Sequence, residues 1–181
     1  MPCLKGVMSA VVLNLGSGDS KHDHEIGVDI RVAKGTDIVA DLEAPFLPFR
    51  DSTVDGVRAL HVLEHLSDLI HIMDEIHRVC KDGGEVKIEV PYFSHSLNFR
   101  DPTHKRLFSW GMFDNFVDDD KRQYCRTTAK FDYVEKTLHF TPGLMGLVGR
   151  FLFWLSPRRY DKYHAYVCPA FGYRVTLRTI K

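Results

Sequence analysis

Val11-Val12-Leu13-Asn14-Leu15-Gly16-Ser17-Gly18-Asp19 is an apolar run that ends in two glycines one residue apart. The run reads as a buried strand and the glycines as a ligand-binding turn. Without a Cβ, such residues take φ > 0 and let backbone N–H groups approach a ligand closely. An acid closes the next apolar segment, Ile26-Gly27-Val28-Asp29, with Ile30 beside it, and another closes the third, Asp37-Ile38-Val39-Ala40-Asp41. Carboxylates at successive strand ends, downstream of a glycine turn, suit a ligand with hydroxyls and an amine.

Working outward, the 181 residues predict one domain, large enough to bury a core without staples. Twenty-four Lys and Arg balance twenty-four Asp and Glu, so the global field that steers a protein onto a polyanion is missing and nucleic acid is not signalled. Cys3, Cys80, Cys125 and Cys168 are scattered, which reads as reduced thiols in a cytoplasmic protein. The first apolar stretch runs into the glycine turn instead of a cleavage site, so no export signal is expected.

Strand-like segments recur at residues 10–15, 26–30, 36–40, 54–60 and 84–90, with two more at 131–140 and 172–180. Leu66, Leu69, Ile70, Met73, Ile76, Val79 and Cys80 fall at three- and four-residue steps and predict a helix that stops at Lys81-Asp82-Gly83-Gly84. Strand, helix, strand implies a right-handed parallel crossover. Residues 91–130 read as irregular. The expected class is α/β: a Rossmann-like, mostly parallel twisted sheet with an antiparallel last strand, and an insertion at about 141–170. Only ten residues separate Gly18 from Asp29, and Pro45 and Pro48 interrupt the link from Asp41 to the fourth strand. The first crossover helix is therefore expected to shrink to a turn and the third to be absent, which trims the fold and opens the cleft.

Leu13-Asn14-Leu15-Gly16-Ser17-Gly18, Gly27-Val28-Asp29, Ala40-Asp41-Leu42, Leu47-Pro48-Phe49, Val54-Asp55-Gly56-Val57, His61-Val62-Leu63-Glu64-His65-Leu66 and Glu75-Ile76-His77-Arg78-Val79-Cys80-Lys81-Asp82-Gly83-Gly84 follow in an order that resembles class I S-adenosylmethionine-dependent methyltransferases. The resemblance covers roughly residues 10–110. It is closest to small methyltransferase-like proteins linked to polysaccharide or sugar biosynthesis, which carry a similar Asp-Pro-Thr-His stretch, here residues 101–104. It implies S-adenosylmethionine as cofactor. By resemblance, Gly16, Ser17 and Gly18 contact its methionine part, Asp29 with Ile30 its ribose, Asp41 and Leu42 its adenine, and His61 its methyl end. The implied acceptor is a small molecule, a sugar or a lipid-linked saccharide.

Methyl transfer needs an aligned acceptor and, for oxygen or nitrogen, loss of a proton. His95, His104 and His65 are the candidate catalytic residues, because histidine titrates near neutrality. Tyr92 and Asp101 lie in the same stretch, and Glu64 is expected to position. Three other readings compete. A dinucleotide oxidoreductase would want Gly-x-Gly-x-x-Gly, but the sixth position is Lys21. His61-Val62-Leu63-Glu64-His65 matches the inverted zinc-protease pattern, with His22 and His24 expected near the same cleft. That pattern needs both histidines on one helical face, so no metal is assigned. A non-catalytic fold-mate remains open. The apolar run Leu144–Leu155 with Arg158, Arg159 and Lys162 suits either a packing helix or a membrane-surface element over 144–159. An open cleft also suits a homodimer.

Overall fold

The computed structural model describes residues 10–181; Cys3 and the segment before residue 10 lie outside the described residues. Seven strands form one sheet: β1 (Val12–Leu15), β2 (Glu25–Asp29), β3 (Ile38–Val39), β4 (Val54–Leu60), β5 (Cys80–Pro91), β6 (Phe131–Phe140) and β7 (Ala170–Thr179), in the order β3-β2-β1-β4-β5-β7-β6. β1 to β5 run parallel, and β7 pairs antiparallel with both β5 and β6. This is the expected Rossmann-like α/β architecture. Leu13 and Leu15, Val57 and Ala59, Val86, Ile88 and Val90, and Val175 and Leu177 fill the core from the strands.

Helix α1 (Leu69–Val79) buries Leu69, Ile72, Met73, Ile76 and Val79 in one stripe. Each such side chain contributes roughly 1.5–3 kcal/mol relative to exposure. The helix starts at Leu69, not at Leu66. Leu66 is buried but extended, after a 3-10 turn over Leu63–His65, and Asp68 caps α1 by accepting the His71 N–H at 2.9 Å. At the other end the glycines do not stop the helix. Cys80 is already extended and paired with Val54, and the register then jumps to Gly56↔Glu85, so Lys81–Gly84 form a bulge in β5 with Gly83 at φ +75°.

No helix joins β1 to β2, β2 to β3 or β3 to β4. Hydrogen bonds replace helix packing there. Glu75 Oε2 accepts the Leu47 N–H at 2.6 Å, and the Arg78 guanidinium reaches the Leu47 and Phe49 carbonyls and Asp51. Burial alone would raise the Glu75 carboxyl, but Arg78 and the Leu47 N–H outweigh it and hold it below the usual carboxylate range.

The stretch read as irregular holds α2 (Leu97–Arg100), a 3-10 turn at Met112–Phe116 and α3 (Asp119–Cys125), anchored by buried Tyr92, Phe108 and Phe113. Helix α4 (Leu144–Leu155) follows β6 and buries only Gly146 and Gly149. A Cβ at Gly146 would lie 1.8 Å from the Thr141 carbonyl oxygen, so the helix packs through its glycines. Cys80, Cys125 and Cys168 are free thiols, and burial pushes Cys80 up to about 11. Among the described residues, no helix is long and apolar enough to cross a membrane.

Candidate active site

Two cavities open at the carboxyl end of the parallel strands. The first, about 610 Å³, is lined by Gly16, Gly18, Asp29, Ile30, Asp41, Leu42, Val62 and His61, among others. Gly16 and Gly18 sit at φ +67° and +49°, and a Cβ on Gly16 would meet Val62 Cγ2 at 2.6 Å. The turn differs from expectation in one respect: its N–H groups are engaged inside the protein. Gly16 donates to the Val28 carbonyl at 2.8 Å, Ser17 to the same oxygen at 3.2 Å and Gly18 to Asp29 Oδ2 at 2.9 Å. Ser17 itself is buried beneath the turn and does not line the cavity. What the glycines contribute is close approach of bare backbone.

Asp29 is held at the end of β2 by the Gly18 N–H on Oδ2 and the Arg31 N–H on Oδ1 at 3.0 Å. An ionised carboxylate has about four lone-pair sites, so each oxygen keeps one for a hydroxyl. Ile30 beside it is 62 % exposed, an apolar face turned into the cleft. Asp41 Oδ1 accepts the Glu43 N–H at 2.9 Å, next to buried Leu42.

The second cavity, about 660 Å³, is lined by His61, Glu64, His65, Pro91, Leu97, Arg100, Asp101, Pro102 and His104. Its far wall is brought in by two backbone bonds: the N–H groups of Lys105 and Arg106 donate to the Glu64 carbonyl at 2.8 and 3.2 Å. This staple sets the His104 ring edge-on to His65, centroids 4.8 Å apart. The Thr103 hydroxyl donates to Asp101 Oδ1 at 2.6 Å, so it accepts from His65 Nδ1 at 2.9 Å. Nδ1 of His65 therefore carries the proton, and Nε2 keeps the lone pair. Thr103 also holds the Asp101 carboxyl below its usual range.

Glu64 is 1 % exposed, with Oε1 3.4 Å from His61 Nδ1 and Oε2 without a partner. His61 directly follows β4 at φ +52°, a strained backbone position for a residue with a side chain. Its hydrogen bond to Glu64 raises its pKa above the usual histidine value against the opposing effect of burial, and Glu89 adds to the rise.

Not every expected residue arrives here. His95 lines neither cavity, and its Nδ1 accepts the Leu97 N–H at 3.2 Å. Tyr92 is core: its hydroxyl donates to Asp161, and burial drives its pKa far up. His22 and His24 stack on each other beside a different cavity, with Val12, Glu25 and Gly56 at the amino ends of β1, β2 and β4. The chain from Gly18 must return to start a parallel β2, which carries both histidines away from His61. The zinc-protease geometry is absent too, since His61 lies just past the end of β4 and His65 closes a 3-10 turn, so the two histidines do not share a helix. Thr103, which no sequence signal marked by itself, is the residue that orients His65.

Residues 14–88 match the profile of a methyltransferase domain family. No curated protein matches the chain. Among solved structures, an S-adenosylmethionine-dependent methyltransferase from Archaeoglobus fulgidus aligns with TM-score 0.59 at 19% identity, over 94% of this chain and 86% of its own. A chain of the Haloferax volcanii complex that contains the Trm112 methyltransferase activator aligns with TM-score 0.60 at 15% identity, over 96% and 83%. The cyclase SpnF aligns with TM-score 0.60 at 17% identity, over 95% and 75%. These likenesses show the fold. The matched family segment covers residues 14–88 only, and the relative from Archaeoglobus fulgidus is, by its name, dependent on S-adenosylmethionine. The first cavity fits that group: bare glycine backbone, a carboxylate with free lone pairs for a diol and an exposed apolar face lie along one cleft.

Proposed function

We propose that this chain transfers a methyl group from S-adenosylmethionine to a small-molecule acceptor held in the second cavity. The observation that carries this reading is the shared wall: His61, His65 and Asp101 line both cavities. When bound, the cofactor supplies a methyl group on a positively charged sulfur. Gly16 and Gly18 would border its methionine part, Asp29 would accept its ribose hydroxyls, and Asp41 with Leu42 would receive the adenine. Glu64, His65 and His104 form the patch where the acceptor's hydroxyl or amine docks and loses its proton. Polar Arg100 and Asp101 beside apolar Pro91 and Leu97 favour a sugar, free or carried on a lipid. Calorimetric titration with S-adenosylmethionine and S-adenosylhomocysteine tests the cofactor half. Micromolar binding that Asp29→Ala abolishes is expected, and no binding to either compound overturns the reading.

We also infer that the acceptor is met at an anionic membrane surface. Helix α4 turns Leu144, Leu147, Phe151, Trp154 and Leu155 outward, with Trp154 75 % exposed. Arg150, Arg158, Arg159 and Lys162 accompany this face, and the one acid among them, Asp161, is engaged by the Tyr92 hydroxyl and the Trp110 N–H. Apolar and aromatic side chains flanked by cations are the composition of an interfacial helix. Vesicles of mixed phosphatidylglycerol and phosphatidylcholine should co-sediment with the protein and shift its tryptophan emission to the blue, with the shift lost in Trp154→Phe. Equal binding to pure phosphatidylcholine, no binding at all, or a dimer in solution that Phe151→Glu dissociates would each overturn the lipid assignment.

A further inference from the structure

We propose that Glu64, His65 and His104 form a site for one divalent cation, zinc or manganese, in the wall of the second cavity. The three side chains each offer a ligand atom, and these atoms lie within 4.8 Å of one another. Two of the three residues also carry an unanswered polar atom. Glu64 Oε2 and His104 Nδ1 are buried without hydrogen-bond partners, in side chains 1 % and 9 % exposed. Burying a carboxylate oxygen and an imidazole nitrogen without partners costs free energy that a bound ligand would recover.

The geometry around the cluster is that of oriented ligands. Glu64 is turned by its other oxygen, 3.4 Å from His61 Nδ1. His65 is turned through Nδ1, hydrogen-bonded to Thr103, which passes the bond on to Asp101. A hydrogen bond on the far nitrogen that ends on a carboxylate fixes the tautomer and direction of a metal-binding imidazole. Two imidazoles and one carboxylate suit zinc or manganese better than magnesium, and three protein ligands leave coordination positions open. The motif His61-Val62-Leu63-Glu64-His65 thus contributes Glu64 and His65, and His104 supplies by tertiary contact the second histidine that His61 does not.

What the cation does rests on the methyl-transfer reading. Held by Glu64, His65 and His104, it would bind the acceptor's oxygen in an open position. A hydroxyl so bound releases its proton to solvent water at lower pH than a free one.

The test is titration of the chelator-stripped protein with Zn²⁺ and with Mn²⁺, and separately with S-adenosylhomocysteine. One equivalent of metal is expected, with affinity about 100-fold weaker in Glu64→Gln and in His104→Ala. S-adenosylhomocysteine affinity should be unchanged in both, which reports that they fold. Cobalt(II) bound to the unaltered protein should show visible bands without thiolate charge transfer, which separates the site from the cysteines. Binding that survives both substitutions would locate the metal elsewhere, the stacked His22 and His24 included, and overturn the site. So would no binding of either metal by protein that takes up S-adenosylhomocysteine. Metal binding that the substitutions weaken, in protein that ignores S-adenosylhomocysteine, would leave the site standing and break the methyl-transfer reading instead.

Discussion

The two walls of the cleft are made in different ways. The proposed cofactor wall is strand ends and the turns that leave them, and the polar atoms that face the cleft have partners: Asp29 accepts two N–H groups and the glycine turn donates inward, while Ser17 Oγ lies unpartnered beneath the turn. The proposed acceptor wall is side chains from two distant loops, stapled through the Glu64 carbonyl, and it keeps Glu64 Oε2 and His104 Nδ1 unanswered. A surface whose atoms are satisfied is shaped to receive. One that holds unsatisfied buried atoms is where chemistry is to be sought.

The contrast predicts that damage to the first wall removes binding and damage to the second removes turnover. The largest effect belongs to Gly27→Ala in β2, whose Cβ would sit 1.7 Å from the Gly35 carbonyl oxygen. It should cost about 3 kcal/mol of stability, seen in denaturant unfolding, and weaken cofactor binding with it; a neutral result would show that the β2–β3 turn can yield. Asp29→Asn should follow, with affinity for S-adenosylhomocysteine reduced by on the order of 100-fold, since charged hydrogen bonds contribute about 1.5–3 kcal/mol each. His65→Ala should lower turnover by about 100-fold while calorimetric binding of S-adenosylhomocysteine stays as it was. Equal loss of both would erase the distinction between the walls.

Smaller still is Thr103→Val, which keeps His65 but removes its orienting bond, and about a tenfold loss of turnover is expected. The least effect is a pH dependence. His61 has a raised pKa in the fold because Glu64 bonds it, so its contribution to stability is full below the ordinary histidine value and fades as pH rises through the raised one. Glu64→Gln should move the His61 titration, followed by NMR, to lower pH. An unchanged titration would remove Glu64 as the cause.

The strand ends and turns of the first wall were legible in the sequence because local signals fix them. Apolar runs ending in Gly16 and Gly18, Asp29 and Asp41 state both the strand and what stands at its end. The fold followed from the same runs, and the missing helices between β1 and β2 and between β3 and β4 could be read from connection length and from Pro45 and Pro48; the missing one between β2 and β3 was not read. The direction of the turn's N–H groups could not, since it depends on Val28 and Asp29 reaching back across the β1–β2 pair. His65 and His104 were legible as types and not as neighbours, because the bonds that join them span about forty residues. The start of α1 was misread from Leu66, an apolar residue at helical spacing that is buried without being helical; the cap at Asp68 overrides periodicity. Helix α4 shows the converse, a strongly apolar segment whose buried face is glycine.

The position of β7 bears on how the molecule is made. It lies between β5 and β6 in the sheet but follows both in the chain, so until it arrives β5 and β6 each offer an unpaired edge with no partner to take it. The sheet can grow outward from β1 as residues emerge, yet its second half closes only when β7 pairs with β5, some eighty residues before it, and with β6. During synthesis those open edges are the places where another chain could pair wrongly. Slow elongation or crowding should therefore harm this protein more through misassembly of that seam than through any weakness of the finished structure.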